Sequence, residues 1–217
     1  MNKAALNIVF GVSLALTGFA AQAAVFFNSA PMLIPGSGTN GPATPYPATI
    51  AVFGLGFATD LNVTLSGLTH SFPVDLDILL VGPTGLNILL MSDTGGDTDV
   101  LGVTLVFDDD ALAFLPAAAQ IASGTYRPTN FDFSDGDVFP SPAPAGSYGE
   151  SLSAFEGFDP NGLWQLFIFD DEGQDAGFLS NGFSLDIAAA PSMVPVPGSL
   201  ALLALGITGL GLTRRRV

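Results

Sequence analysis

Residues 50–187 alternate short apolar runs with clusters of Gly, Pro, Asn and Asp. No convincing 3.6-residue period appears outside the two ends, so the pattern predicts an all-β fold. Strands are expected over 50–57, 61–68, 74–81, 86–92, 102–107, 163–169 and 183–187. Leu76, Ile78 and Leu80 alternate with Asp75 and Asp77, and Phe183, Leu185 and Ile187 with Ser184 and Asp186. Both patterns predict one core face and one wet face. Around Trp164 both sides are apolar, with Trp164, Leu166 and Ile168 opposing Leu163, Phe167 and Phe169. That strand is expected at the centre of a sheet.

Turn chemistry refines this order. Gly82-Pro83-Thr84-Gly85 predicts a hairpin over 74–92, and Asp159-Pro160-Asn161-Gly162 a tight turn with Gly162 at positive φ. Residues 111–150, rich in Pro, Ser, Gly and Asp, read as a long surface excursion with one helical turn over 117–121. Residues 29–47 read as an extended lead-in.

The two ends have a different character. Lys3, the apolar run 6–19 and Ala21-Gln22-Ala23 have the order of a secretory signal peptide, with signal peptidase cutting after Ala23 or Ala24. Near the other end an apolar run, 199–213, is followed by Arg214-Arg215-Arg216. Such a run rises about 22 Å as a transmembrane helix, short for a hydrocarbon core of about 30 Å but usable with help from its flanks. The arginines would stay cytoplasmic and the body of the chain outside. The expected divisions are a signal peptide over 1–24, a lead-in over 25–49, a β domain over 50–190 and a membrane tail over 191–217.

Charge narrows the function. Between the ends Arg127 is the sole basic residue, against all 20 acidic side chains. So anionic a body repels nucleic acid and attracts divalent cations or basic partners. With no cysteine, disulfides, thiolate metal sites and a Cys nucleophile are excluded. His70, the sole histidine, is expected as a solvated strand-end residue; no G-x-S-x-G or comparable serine context accompanies it, so a serine-protease triad is not expected. Asp75 and Asp77 with 108–110 offer paired carboxylates for glycoside hydrolysis. Against that, Trp164, the one tryptophan, reads as core and not as the wall of a sugar groove.

The acidic loops suit calcium better, because calcium takes hard oxygen ligands and needs neither His nor Cys. The candidate ligands are Asp108, Asp109 and Asp110; Asp170, Asp171 and Asp175; and Asp93 and Asp97 with Asp99 beside them. The competing reading is that these acids keep an exported protein soluble and support its turns.

Several blocks in order resemble the P-domain of subtilisin-like proprotein convertases. They are residues 74–80 leading to Gly82-Pro83-Thr84-Gly85, then Leu89-Leu90-Met91-Ser92-Asp93, Phe107-Asp108-Asp109-Asp110-Ala111 and Gly124-Thr125-Tyr126-Arg127-Pro128. Asp159-Pro160-Asn161-Gly162-Leu163-Trp164 and Asp170-Asp171 follow, with Phe183 where that family commonly has Trp. The resemblance implies a jelly-roll-like β-sandwich and calcium at acidic loops, and it covers the accessory domain without any catalytic one. The tail resembles a PEP-CTERM sorting signal, with Pro195-Val196-Pro197 where that family has Pro-Glu-Pro. It implies recognition by an exosortase-like sorting protease.

The expectation is therefore a non-catalytic module, exported to the cell envelope or extracellular matrix and membrane-held before sorting. The alternatives are a carbohydrate-binding domain acting on extracellular polysaccharide and an accessory domain partnering a separate subtilisin-like protease.

Overall fold

The computed structural model describes residues 22–35, 39–131 and 136–191. Most of the expected signal peptide and the whole expected membrane helix lie outside them. Among the described residues no helix is long and apolar enough to cross a membrane.

Four strands, β1 (Gln22–Asn28), β2 (Met32–Ile34), β3 (Gly41–Pro42) and β4 (Ala48–Val52), precede the long β5 (Ala58–His70). A 3-10 turn at Pro73–Asp75 leads into β6 (Leu76–Val81), β7 (Asn87–Ser92) and β8 (Val100–Phe107). The short β9 (Gly124–Tyr126) and β10 (Thr129–Asn130) are followed by a 3-10 turn at Leu152–Phe155. The chain then runs through β11 (Gly162–Asp170), β12 (Gly177–Leu179) and β13 (Phe183–Ala189).

These strands make two mixed sheets. The first runs β1-β13-β5-β12-β2, with β8 on the other edge of β5 and β9 parallel to β8. The second runs β10-β7-β6-β11-β3, with β4 also on β11. The sheets share one core: Val63, Leu65, Leu105 and Phe107 of the first are buried with Ile78, Leu80, Trp164 and Leu166 of the second. As its two-sided apolar pattern predicts, β11 lies inside its sheet, between β6 and the pair β3 and β4. The predicted hairpin is β6 antiparallel to β7, and Gly162 has φ +137°.

Besides the ends of the strands, where 53–57 form a loop and 73–75 a 3-10 turn, three segments depart from the sequence reading. First, the lead-in is built into the sheets, since β1 pairs along its whole length with β13, from Gln22 opposite Ala189 to Asn28 opposite Phe183. The expected cleavage positions fall inside this strand, and cutting at either leaves 25–28 of the ladder in place. Second, no helical turn forms over 117–121; Leu115 and Ile121 are instead buried in the core. Third, the outer face of β6 is not wet. Residues from the 111–150 excursion fold over it, so Leu79, Val81, Leu89 and Phe167 make a second small core with Phe139. Asp77 is buried beneath this cover, and Asp75, in the 3-10 turn before β6, is buried as well.

One close backbone approach fixes how β13 begins. Gly182, at φ +64°, lies where a Cβ would come 1.9 Å from the Asn28 carbonyl oxygen, so an alanine there meets both strain and a clash with backbone. Gly182→Ala is expected to lower stability by about 2 kcal/mol or more, read as an earlier urea midpoint with an unchanged slope.

Candidate functional site

Acidic side chains converge at the end of the second small core. Asp77 follows the same outer row of β6 as Leu79 and Val81, opposite Phe169 of β11. Beyond β7 the chain bends through Asp93, at φ +53°, and beyond β11 it continues into Asp171. The excursion adds Asp137 and Val138. Asp77, Asp93, Asp137 and Asp171 thus line a cleft of about 130 Å³ walled by Phe169 and Val138.

The centre of this cleft is crowded. The Ser92 hydroxyl lies 2.7 Å from Asp77 Oδ1, 2.6 Å from Asp137 Oδ1 and 3.2 Å from Asp93 Oδ2. One hydroxyl has one proton to donate, so it serves a single carboxylate oxygen at a time. Asn130 Nδ2 donates to the other oxygen of Asp137 at 3.0 Å. Burial pushes the Asp77 carboxyl up to about 8; the Ser92 hydrogen bond opposes this, and the charges of Asp137, Asp171 and Asp93 add to it. Near neutral pH and without a cation, Asp77 therefore holds a proton.

A second acidic cleft adjoins the first. Burial, then the charges of Asp171, Asp175 and Asp170, push Asp75 up to about 7, with His70 opposing. Asp75 lines this opening of about 410 Å³ with Phe72, Glu172, Gln174 and Asp175. Here Ser71 Oγ donates to Asp175 Oδ1 at 3.0 Å, and the Asp171 amide donates to the Asp75 carbonyl at 3.0 Å.

The expected calcium ligands are dispersed by the fold. Asp93 and Asp171 reach the first cleft and Asp175 the second. Asp170 ends the core-facing row of β11 and is fully buried, with Oδ2 3.4 Å from His70 Nε2. Asp97 and Asp110 are exposed elsewhere. Asp108 Oδ1 accepts from the Asp110 amide at 2.8 Å, closing a local turn. Asp109 holds the start of the 3-10 turn at Leu152–Phe155, accepting from the Ser151 hydroxyl and from the Leu152 and Ser153 amides at 3.0 and 2.8 Å. Burial opposes its ionisation, but these donors outweigh it and lower its pKa.

Asp137 and Ser92 escaped the sequence reading, and Asp77, considered there only as half of a carboxylate pair with Asp75, was not among the expected calcium ligands. Its signal was present for Asp77: Leu79 and Val81, next along the same row, are apolar, which marks that face as covered. Among the described residues, no three His, Cys, Asp or Glu side chains are gathered closely enough to hold a metal ion as they stand.

His70 is also misplaced by sequence reasoning. It is fully buried, its Nδ1 lies 2.9 Å from the Phe72 carbonyl oxygen, and its Nε2 faces Asp170. A different cleft, about 480 Å³, runs between β1 and β4 and is lined by Val25 to Ser29 and Thr49 to Ala51, with no ionisable side chain.

No family model and no curated protein matches the chain. Among solved structures, it is similar to the serine protease of Aeromonas sobria in complex with its chaperone, with a TM-score of 0.39 and 14% identity over 80% of this chain and 27% of that one. The Aeromonas sobria protease by itself gives a TM-score of 0.37 and 14% identity over 78% of this chain and 26% of that one. The chain thus spans about a quarter of the length of those proteins. A likeness of this degree carries no argument about activity.

Proposed function

We propose that this chain is a non-catalytic exported module, a jelly-roll-like sandwich of the P-domain type, stabilised by calcium at the cleft of Asp77, Asp93, Asp137 and Asp171. Its tail would hold it at the membrane before sorting to the envelope or matrix. The observation that carries the calcium reading is the set of three carboxylate oxygens around the single proton of the Ser92 hydroxyl. Like charges packed this closely require either a proton or a cation between them. Bound there, calcium would supply the neutralising charge and take these hard oxygens as ligands. The carboxylates would have to draw closer to reach one ion; Ser92 and Asn130 would orient them, and Asp77 would give up its proton to solvent.

The non-catalytic reading is supported by His70. A general base must reach the hydroxyl it activates, whereas this ring is enclosed between the Phe72 backbone and Asp170.

Thermal melts of the full chain in millimolar calcium and in chelator test the proposal. A ligand selective for the native state raises the midpoint, by about 2.7 kcal/mol of stability at a hundredfold excess over Kd. The gain should disappear in Asp137→Asn while Asp108→Asn keeps it. An identical midpoint in calcium and in chelator would sink the metal reading.

A further inference from the structure

The described chain ends on an apolar rim whose position matters only if the tail enters a membrane. Ala190, just past β13, donates its amide to the Phe57 carbonyl at 2.8 Å, and the Ala58 amide donates to the Phe158 carbonyl at 2.9 Å. The loops carrying Phe57 and Phe158 are thus joined where the chain leaves the domain. Phe57 and Phe158 are 62% and 54% exposed, and Phe53, in the same loop as Phe57, is 73% exposed. The two loops are fixed to each other by Asn161, which accepts from the Leu55 amide and donates to its carbonyl. Phe53 also packs edge-on against Phe26 of β1, with ring centroids 5.9 Å apart, and three solvent-facing phenylalanines on two braced loops mark a contact surface.

We propose that Phe53, Phe57 and Phe158 form a membrane-contacting face that lays this end of the domain on a zwitterionic bilayer surface. This rests on the tail acting as a membrane anchor. Where the chain leads decides what covers the face. Ser199, the start of the apolar run, follows Ala190 by nine residues, a reach of at most about 30 Å. The chain therefore delivers this rim to the bilayer, and a short tether turns weak contacts into a populated state. Charge selects the lipid: Glu156 and Asp159 flank Phe158 and both are exposed, so an anionic surface repels the face while a zwitterionic one admits it. Aromatic side chains settle at that boundary.

The protein supplies a clean optical test, because Trp164 is its sole tryptophan and is buried. The full chain, His-tagged at its C-terminus, is placed on phosphatidylcholine vesicles with and without nickel-chelating lipid. Phe57→Trp and Phe158→Trp are the reporters. Phe178→Trp is the control, since Phe178 pairs with Thr69 at the far end of β5. Flotation without nickel reads the tail, while nickel holds the chain at the surface where the tail does not insert.

The expected result is that both reporters shift to the blue and lose most of their emission to brominated lipid, that Phe178→Trp does neither, and that anionic vesicles weaken the effect. Reporters at 57 and 158 as open to aqueous iodide as the one at 178, on nickel vesicles, overturn the proposal even if the tail floats the protein. A blue shift without bromolipid quenching, accompanied by a larger particle in solution, overturns it in favour of a second copy on this face. Quenching on nickel vesicles without flotation in their absence keeps the face and removes the anchor.

Discussion

Replacing His70 with leucine is expected to destabilise the protein by about 3 kcal/mol, the cost of leaving the buried Asp170 carboxyl and the Phe72 amide without the ring that faces them. His70 closes the core-facing row of β5 and Asp170 that of β11, so the pair ties the two sheets together at one end of the core. Both Asp170 oxygens and His70 Nε2 are buried without a hydrogen bond to the described residues, and Oδ2 approaches Nε2 to 3.4 Å. Taking the imidazole away leaves a carboxyl group walled in by apolar side chains and by the neighbouring charge of Asp75. Removing both members spares that cost, because two leucines of suitable volume bury no polar atom. The double variant His70→Leu with Asp170→Leu should therefore be more stable than His70→Leu alone. A double-mutant cycle on urea midpoints measures the coupling. Additive single changes would show that the two side chains act independently.

In chelator, stability should fall as pH rises from about 4 to about 8. Asp77 ionises near the usual carboxylate pH in the unfolded chain but holds its proton up to about 8 in the folded one. The native state thus binds the extra proton across that window, and its stabilising effect is complete below it and lost as pH passes the folded value. A rise from about 4 to about 8, at about 1.4 kcal/mol per pH unit, bounds the loss at roughly 5 kcal/mol; movement of the surrounding loops on ionisation reduces it. Asp77→Asn removes this titration, so in chelator its pH profile should be flatter and its stability at pH 8 higher than the parent's. Asp75 continues to titrate in both proteins, and the difference between the two curves isolates Asp77. Parallel curves would show that the Asp77 proton contributes nothing to folding. Calcium should flatten the parent's curve in the same way, with protons released on binding.

The pattern of apolar residues was informative where a strand packs on its own periodicity. β13, the β6-β7 hairpin and the central position of β11 were all legible, because their alternation or two-sided apolarity reports burial directly. The short strands β2, β3, β9, β10 and β12 were not. Each has two or three residues, too few to carry a period, and forms because a longer neighbour offers it a ladder. Asp77 was read as wet for a related reason. Alternation assigns it to the face opposite Leu76 and Ile78 correctly, but the cover on that face comes from residues distant in sequence, Tyr46 on one side and Phe139 and Tyr148 on the other. The aspartate clusters at 108–110 and 170–171 looked alike in sequence. The fold separated them, giving Asp109 to a turn, Asp170 to the core and Asp171 to the cleft.

The pairing of β1 with β13 has a mechanical side. Gln22 and Ala189 sit together at one end of an antiparallel ladder, so a load drawn between the N-terminal strand and the tail would open its rungs singly, like a zip, and not shear them all at once. A domain hung from its C-terminal side while its N-terminal strand is tugged would yield first at β1, leaving the sheet behind it intact.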